Sequence, residues 1–308
     1  MKAIYSAKSG PPESLELIDM PRPTCGAGEI LVQVIATTVT AGDIVLRNLR
    51  FPLSLVMGAF GFKRKAVPGH EFAGVVVEVG AGVSRFKVGD EVFGTTTKLE
   101  TGAYAEFICL PESWKGGLIA AKPKALSFAE AAALPVGALT ALALLDKAGL
   151  QSGQSFLVYG ASGSVGSYAV QIGRALGAEV TGASSARNAE MVRSLGATDI
   201  IDYRAQDMAS LTKRFDVVFD AVGKLAADAQ KALVKEGGVF VSVQSLTQES
   251  PEALNKLIAM VEAGQVKPFI DQHFPLEQAA EAHRYVESGR KRGNVVLDVA
   301  LSPEGHAG

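Results

Sequence analysis

The sequence predicts an α/β protein that combines a doubly wound parallel sheet with a second, mostly antiparallel β domain. Two observations support this fold class. After residue 122, short apolar runs typical of buried strands alternate with helical patterns, as in a parallel sheet covered by helices. Before residue 122, short β-type runs follow one another with Gly and Pro turns between them, which favours antiparallel pairing.

The strands predicted for the first half are short and separated by turns. They cover residues 1–5, 30–36, 74–79, 91–93 and 105–109. Glycine-containing turn signals fall between them, at 80–82 and 88–90. Few helical patterns occur in this part of the sequence, so we expect residues 1–122 to form one compact β domain.

The second half opens with a helix start signal and continues as alternating strands and helices. Ser127 followed by Glu130 forms a capping box in front of an alanine-rich helix. The predicted strands cover residues 156–159, 179–183, 199–202, 217–219 and 239–242, with helices at 164–176 and 188–195. We expect residues 123–265 to form the doubly wound domain. The segment 266–308 carries a last helix at 276–286 and a last strand at 294–299, and it could return to the first domain.

Composition limits the classes of partner. Hydrophobic residues make up 48% of the 308 residues and charged residues 20%, the balance of an ordinary globular enzyme. The formal net charge of -2 provides no basic field for nucleic acid, and no run reaches the ~18 apolar residues of a membrane span. The start lacks the apolar core of a signal peptide, and Cys25 and Cys109 lie far apart without metal or redox spacing. We therefore expect a cytoplasmic protein whose partner is a small molecule.

A glycine-rich turn is the strongest functional signal. The sequence GASGSVG at 160–166 follows a predicted strand and opens a predicted helix, which is the context of a dinucleotide-binding turn. Gly163 leaves room for a pyrophosphate, Gly166 lets the helix pack closely, and the helix start offers N–H groups and a positive dipole end to phosphate. Ala161 replaces the first glycine of the strict fingerprint, and a tight turn without a ligand is the alternative.

The end of the next strand indicates which dinucleotide binds. NAD sites usually place an Asp or Glu there to hold the ribose 2′-hydroxyl. Here the predicted strand is followed by Ser184, Ser185 and Arg187, with no carboxylate. Two hydroxyls and a guanidinium can bind a 2′-phosphate, so the sequence favours NADPH over NADH. The alternative for Arg187 is a solvated residue in the first turn of a helix.

Several motifs resemble those of the medium-chain dehydrogenase/reductase family. They are PGHEFAG at 68–74, VGDEVFG at 88–94, GAYAEF at 102–107, AALP at 132–135 and GNVV at 293–296, besides the glycine-rich turn. Their order along nearly the whole chain is similar to the zinc-free, quinone oxidoreductase-like branch. The resemblance implies a GroES-like first domain, a Rossmann domain, a C-terminal segment that returns to the first domain, and a homodimer.

The candidate cofactor site combines this resemblance with the ends of the parallel strands. The resemblance implies cofactor contacts for Thr140 and Tyr203, although a surface aromatic is the alternative for Tyr203. Asn294 or Arg290 could reach the cofactor from the C-terminal segment, and the neighbouring basic residues leave that assignment open. The candidate residues are Thr140, Gly160, Ser162, Gly163, Ser164, Val165, Ser184, Ser185, Arg187, Tyr203, Gly223, Ser242, Val243 and Asn294.

The resemblance also bears on zinc. The catalytic ligand positions of the family's zinc alcohol dehydrogenases correspond to Thr40, His70 and the neighbourhood of Pro135 in this sequence. Of these residues only His70 has a side chain of the type that binds zinc, whereas a catalytic tetrahedral site needs three protein ligands and a water. The four-cysteine structural lobe is missing as well. We therefore expect no metal.

Thr40, Asp43 and His70 are the candidate residues for the substrate cleft. Thr40, His70 and backbone amides would orient the acceptor, with a proton arriving from water. His70 and Glu71 have two interpretations. They are either a buried, hydrogen-bonded pair that ties the motif to nearby backbone, or one of them lines the cleft and relays a proton.

The expected function is NADPH-dependent, zinc-independent hydride transfer to a small electron-poor acceptor. Quinones and α,β-unsaturated carbonyl compounds qualify, because the product anion is already stabilised and needs no metal. Related quinone oxidoreductases often carry two tyrosines near the substrate; those positions are Val45 and Phe51 here, which leaves the quinone specificity open. The alternatives are an NADPH-binding sensor or structural protein on a reductase scaffold and, with less support, a zinc alcohol dehydrogenase.

Overall fold

A computed structural model describes residues 1–49 and 64–300 of the chain. These residues form two compact units. Unit 1 comprises residues 1–136, 249–251 and the chain from Ile270 onward, and unit 2 comprises residues 137–248 and 252–269. Phe51, at one of the two tyrosine positions, lies outside the described residues.

Unit 1 is built on a mostly antiparallel sheet. Its strands are β1 (Lys2–Tyr5), β2 (Glu16–Asp19), β3 (Glu29–Thr38), β4 (Glu71–Val79), β5 (Glu91–Thr95), β6 (Phe107–Pro111), β7 (Ile119–Ala121), β13 (Ile270–Pro275) and β14 (Asn294–Asp298). The main sheet has the order β13-β14-β3-β4-β5-β7, with β6 also paired to β3, while β1 and β2 pair with each other. Only β13 and β14 run parallel among these described pairs. The late strand β14 is hydrogen-bonded to β3, so both ends of the sequence build one sheet.

The strand predicted at 105–109 is displaced in the structure. β6 spans Phe107–Pro111 and pairs with β3, whereas Ala105 forms an isolated bridge with Ala3 in β1. The apolar run at 105–109 therefore serves two different partners. The sequence pattern could not separate them, because both segments alternate in the same way.

Unit 1 also contains short helices that the sequence pattern did not all predict. They are α1 (Ala41–Arg47), α2 (Phe128–Ala133) and α8 (Ala279–Glu287), and α3 (Pro135–Ala148) begins there. The capping box of Ser127 and Glu130 is confirmed at α2. The alanine-rich helix expected after it is α2, and Pro135 starts the separate helix α3, as proline often does at a first helical position.

A buried polar network ties α8 to α1 and β3. The Arg47 guanidinium donates to His283 Nδ1 at 2.7 Å, so His283 Nε2 carries the proton and donates to Tyr104 Oη at 3.1 Å. Tyr104 Oη in turn donates to the carbonyl oxygen of Thr38 at 3.1 Å. His283 is fully buried, and burial lowers its pKa to about 4. The ring is thus neutral at physiological pH, with both nitrogens satisfied.

Unit 2 is the predicted doubly wound domain. Its strands β8 (Ser155–Tyr159), β9 (Glu179–Ser184), β10 (Asp199–Asp202), β11 (Phe215–Asp220) and β12 (Val234–Ser242) form a parallel sheet of order β10-β9-β8-β11-β12. This is the strand order of a dinucleotide-binding sheet, with its switch point next to β8. The described helices are the rest of α3, α4 (Ser164–Ala175), α5 (Ala189–Ser194), α6 (Ala227–Leu233) and α7 (Pro251–Glu262). The predicted fold class is confirmed. In the described parts of the chain, no helix combines the length and apolarity needed to cross a membrane.

Candidate functional site

The phosphate turn, residues 160–166, joins β8 to α4 in unit 2. Gly160 has a φ of +81°, which residues with side chains rarely adopt, and a Cβ there would lie 2.3 Å from Val222 Cγ2. The N–H groups of Gly160 and Ala161 both donate to the carbonyl oxygen of Ala183 in β9, at 3.0 and 3.1 Å. These bonds fix the turn beside the carboxyl ends of the two strands.

The other two glycines of the turn have different surroundings. A Cβ on Gly166 would lie 2.2 Å from Gly160 O and 2.9 Å from Ala161 Cα, so the first turn of α4 packs directly on the turn backbone. A Cβ on Gly163 would meet only Gly160 O, at 3.5 Å. Gly163 is the N-cap of α4 and has no side chain with which to cap the helix. The helix start therefore offers N–H groups and a positive dipole end to an anion, next to open space.

Asn188 supports the phosphate turn and was not identified from the sequence. Its Nδ2 donates to Ser162 Oγ at 2.9 Å, and the residue is 4% exposed. Within the described residues, Asn188 Oδ1 is buried without a hydrogen-bond partner, which is uncommon in folded proteins. An Asn at a helix start usually caps the helix, so the sequence pattern did not predict this role. Here Asn188 makes no cap bond. An unsatisfied polar atom beside the turn fits a ligand such as a ribose hydroxyl.

Polar side chains gather where β9 and the neighbouring β10 end. Ser184 closes β9 and Ser185 follows it; they are 0% and 4% exposed. Arg187 is exposed and lies in the 3-10 turn Ala186–Asn188. Tyr203 follows β10, half-buried, with its ring centroid 5.6 Å from that of Tyr159. The end of β9 thus holds two hydroxyls, with a guanidinium nearby, and no Asp or Glu of its own. Asp202, the last residue of β10, pairs with Ser184, and its Oδ1 accepts from the N–H of Arg204 at 2.9 Å.

The carboxyl ends of β11 and β12 are held together by hydrogen bonds. Asp220 Oδ1 accepts from the N–H of Gly223 at 2.8 Å, and Gln244 Nε2 donates to Gly223 O at 2.7 Å. The N–H of Val243 donates to Asp220 O at 3.1 Å, and Ser242, at the end of β12, is 7% exposed. Asp220 and Gln244 therefore set the shape of this turn, and neither is among the candidate residues predicted from the sequence.

The remaining candidate cofactor residues lie in both units. Ser164 and Val165 open α4, and Thr140 is half-buried on α3. Asn294 opens β14 in unit 1 and is 4% exposed. Lys291, just before it, donates to Gly293 O at 2.9 Å. All candidate cofactor residues except Asn294 belong to unit 2.

Asp43 and His70 form a dyad in unit 1. His70 Nδ1 lies 2.6 Å from Asp43 Oδ1, while Asp43 Oδ2 accepts from the N–H and Oγ1 of Thr40 at 2.9 and 2.6 Å. Burial opposes ionisation, but His70 and these hydrogen bonds lower the pKa of Asp43 to about 2. Since a carboxylate can only accept, His70 Nδ1 carries a proton and donates it. Within the described residues only Asp43 hydrogen-bonds the ring, which is 18% exposed and keeps Nε2 for other chemistry.

Thr40 has a structural role in this arrangement. It is the N-cap of α1, and its hydroxyl accepts from the N–H of Asp43 at 3.1 Å in a capping box. Because its one hydroxyl proton is donated to Asp43, Thr40 holds the carboxylate toward His70. The spacing of Thr40 and Asp43 in the sequence was interpreted as part of a ligand pattern, yet it is equally that of a helix start.

Glu71 is buried beside the dyad and ties its strand to backbone. Its Oε2 accepts from the N–H of Val136 at 2.8 Å, and its Oε1 accepts from Thr38 Oγ1. Burial raises the pKa of Glu71 to about 8, although Lys291 acts in the opposite direction. These contacts are those expected if Glu71 is a buried, hydrogen-bonded residue that ties the motif to nearby backbone.

Three consecutive threonines at the end of β5 hold two further ionisable groups in unit 1. Thr95 and Thr97 donate to the Glu249 carboxyl, the second at 2.7 Å, while Thr96 accepts from Lys65 Nζ at 2.6 Å. Thr95 closes β5, and Thr96 and Thr97 follow it, so both groups lie at the end of this strand. Burial raises the pKa of Glu249 and lowers that of Lys65 to about 8. No sequence pattern indicated either group, because the contact with Glu249 joins two distant parts of the chain.

The donor set does not fit a catalytic zinc. Thr40 Oγ1 is a neutral hydroxyl that caps a helix, and Pro135 supplies no side-chain donor. In residues 1–49 and 64–300, no group of three His, Cys, Asp or Glu side chains is arranged to hold a metal ion. A tetrahedral site with one histidine lacks the ligands that zinc requires.

Comparison with protein families gives matches along most of the chain. A model of the alcohol dehydrogenase GroES-like domain matches residues 26–140. Two models described as zinc-binding dehydrogenase match residues 164–267 and 244–297. The first match begins just before β3 in unit 1 and ends in α3. The other two cover unit 2 from α4 onward and continue through β13 and α8 to β14 of unit 1.

Individual relatives and solved structures agree with these matches. The chain is 36% identical over 288 residues to the 2-methylene-furan-3-one reductase of Solanum lycopersicum, an alignment that covers 87% of this chain and 71% of that protein. It is 33% identical to the chloroplastic NADPH-dependent alkenal/one oxidoreductase of Arabidopsis thaliana, over 87% of this chain and 72% of that one. The quinone oxidoreductase of Coxiella burnetii superposes with a TM-score of 0.86 at 29% identity, covering 97% of this chain and 99% of that chain. The chain therefore belongs to the medium-chain dehydrogenase/reductase family, in its quinone oxidoreductase-like branch.

Proposed function

We propose that this protein is an NADPH-dependent oxidoreductase that transfers hydride to a small electron-poor acceptor, an α,β-unsaturated carbonyl compound or a quinone. The observation that carries the proposal is the phosphate turn next to a strand end with hydroxyls and no carboxylate. Relatives named as a furanone reductase, an alkenal/one oxidoreductase and a quinone oxidoreductase support the same acceptor class.

The residues of unit 2 fit the cofactor. The open space beside Gly163 and the start of α4 suit the pyrophosphate, and the unsatisfied Oδ1 of Asn188 suits a hydroxyl donor. Ser184, Ser185 and Arg187 would hold the 2′-phosphate, because hydroxyls and a guanidinium make charge-assisted hydrogen bonds to it. When bound, NADPH supplies the hydride, and the protein supplies position and electrostatics.

The Asp43–His70 dyad is the proposed proton-handling group. Asp43 fixes the ring with Nδ1 protonated, so Nε2 is the atom that can take a proton from water and pass it on. Hydride addition to the β-carbon of an enone leaves an enolate, and one proton completes the saturated ketone. Quinones need the same two electrons, and their quinol anion is protonated readily in water.

We propose that the reaction is independent of zinc. An alcohol substrate would need a metal to lower the pKa of its hydroxyl, whereas an enone or quinone is already electron-poor. The donor chemistry at Thr40 and Pro135 supports the metal-free mechanism, although the family models carry the description zinc-binding.

The test is a turnover scan with the purified protein after dialysis against a chelator. NADPH oxidation is followed with an enone, a quinone and an aldehyde, and NADP⁺ reduction with a primary alcohol. We expect turnover with the enone or the quinone and none with the alcohol. NADPH binding without turnover of any acceptor would contradict the proposal and favour the sensor function; metal-dependent alcohol oxidation would favour a zinc alcohol dehydrogenase. The cytoplasmic location and the homodimer stay predictions, to be tested by cell fractionation and light scattering.

A further inference from the structure

The two cysteines of the chain meet in unit 1. Cys25 precedes β3, and Cys109 lies in β6, which pairs with β3. Cys109 Sγ lies 3.7 Å from the carbonyl oxygen of Thr24, the residue that precedes Cys25, and each of the two thiols hydrogen-bonds an oxygen of Glu29. Both are free thiols and half-buried. The absence of redox spacing in the sequence was therefore misleading, because strand pairing brings the two residues together.

Glu29 contacts both thiols. Cys25 Sγ donates to the backbone oxygen of Glu29 at 2.9 Å, and Cys109 Sγ donates to Glu29 Oε2 at 3.3 Å. The N–H of Gly26 donates to the same Oε2 at 2.9 Å, so the short loop before β3 folds back on itself. The carboxylate therefore has a fixed position next to the pair and can accept a thiol proton.

A cavity lies beside Cys109, while Cys25 does not line it and is itself partly exposed. It has a volume of about 140 Å³, and Cys109 forms part of its wall together with Met1, Met20 and Phe107. A peroxide group needs only the space of one or two water molecules. Among the described residues, the two cysteines are not part of any group of three His, Cys, Asp or Glu side chains that could hold a metal ion.

We propose that Cys25 and Cys109 are an oxidation site that closes to an intramolecular disulfide on reaction with a hydroperoxide. The site is separate from the proposed reductase chemistry and needs neither NADPH nor an acceptor. Its consequence is a covalent link between the loop before β3 and β6, in addition to the noncovalent contacts that join them.

The chemistry balances with one hydroperoxide per pair. Cys25 Sγ attacks the outer peroxide oxygen, the O–O bond breaks, and the leaving alkoxide takes the thiol proton and departs as an alcohol. Cys109 Sγ then attacks the sulfenic sulfur of Cys25, the S–O bond breaks, and hydroxide leaves as water with the proton that Glu29 removes from Cys109. Two thiols lose two electrons in total, and the hydroperoxide is reduced to alcohol and water.

The order of attack follows from the surroundings of the thiols. Burial and Glu29 raise the pKa of Cys109 to about 12, so this thiol stays protonated at rest. Burial raises the pKa of Cys25 as well, but its thiol donates to a backbone oxygen and not to the carboxylate of Glu29. Cys25 is therefore the first nucleophile in the proposal, and Cys109 reacts only when Glu29 accepts its proton as the sulfur–sulfur bond forms.

The test is mass spectrometry of the intact protein after treatment with tert-butyl hydroperoxide, without NADPH. We expect a loss of two hydrogen masses, no dimer on a non-reducing gel, and a peptide that links Cys25 to Cys109 and disappears on reduction. In the matched variant Cys109→Ser, we expect no such loss and a sulfenic acid at Cys25 that dimedone traps.

Three outcomes would overturn the inference. They are a treated protein that keeps both thiols, oxygen addition at single cysteines with no cross-link, and disulfides formed only between molecules. A Cys25→Ser variant that forms a sulfenic acid at Cys109 as fast as the wild type forms its disulfide would overturn the proposed order of attack.

Discussion

Replacing Gly163 and Gly166 of the phosphate turn by alanine, one at a time, tests cofactor binding and folding separately. In Gly163→Ala, the new methyl group meets only Gly160 O at 3.5 Å, so the fold tolerates it at the cost of a poorer N-cap, about 1 kcal/mol. The same methyl group occupies the space where we place the pyrophosphate. In Gly166→Ala, the methyl group would lie 2.2 Å from a backbone oxygen, so the turn itself must shift.

The magnitudes follow from these contacts. Displacing a phosphate from one or two N–H donors removes charge-assisted hydrogen bonds of about 1.5–3 kcal/mol each, which is a roughly 10- to 100-fold or greater loss of NADPH affinity. We therefore expect Gly163→Ala to keep most of its thermal stability while binding NADPH at least about tenfold more weakly. Gly166→Ala should lose both, with a stability cost of about 1–3 kcal/mol typical of overpacking.

The assays are fluorescence titration with NADPH and thermal unfolding without it. A Gly163→Ala protein that binds NADPH with the wild-type Kd would refute the placement of the phosphates. A Gly166→Ala protein with the wild-type unfolding temperature would refute the close packing of α4 on the turn.

Three further predictions concern other parts of the molecule. Arg187→Ala should weaken NADPH binding about tenfold and leave NADH binding unchanged, because only NADPH carries the 2′-phosphate; Arg187→Lys is the charge control, and an equal loss for both cofactors would contradict the assignment. Burial lowers the pKa of His283 from 6.5 to about 4. As the pH falls through this window, the unfolded chain binds a proton at this histidine and the folded chain does not. The free energy of unfolding should therefore fall by about 3 kcal/mol. Denaturant unfolding of His283→Gln at several pH values should show a flatter slope there, and an unchanged slope would exclude His283 as the cause. Burial is the main cause of the raised pKa of Cys109, and the charge of Glu29 raises it further. Glu29→Gln removes that charge, so iodoacetamide should alkylate Cys109 faster. A slower reaction would show that Glu29 does not suppress the thiolate.

The local patterns in the sequence were sufficient to predict most of unit 2. The turn at 160–166 lies between a strand and a helix in the structure as in the pattern, because glycine spacing and apolar runs are local properties. Pro135 shows that a single residue can set a helix boundary within one run of high helix propensity. The alanine-rich run on either side of it has high helix propensity throughout, and only the proline divides it into α2 and α3.

The candidate site depended more on contacts that a sequence pattern does not contain. Asn188, which follows β9 in the sequence, hydrogen-bonds Ser162, and Glu249, which follows β12, hydrogen-bonds Thr97 just after β5. Cys25 and Cys109 meet only because β6 pairs with β3. Each of these contacts depends on the register of the sheets, which local periodicity does not determine for strands at such separations.

The most direct test of hydride transfer from NADPH to an electron-poor carbon is isotope transfer. The protein is incubated with NADPH that carries deuterium at both C4 positions of the nicotinamide and with an enone, and the product is analysed by NMR and mass spectrometry. We expect one deuterium at the β-carbon of the saturated ketone and a solvent proton at the α-carbon. A reduced product without deuterium at the β-carbon, or no reduced product from an enone or a quinone, would contradict the proposed reaction.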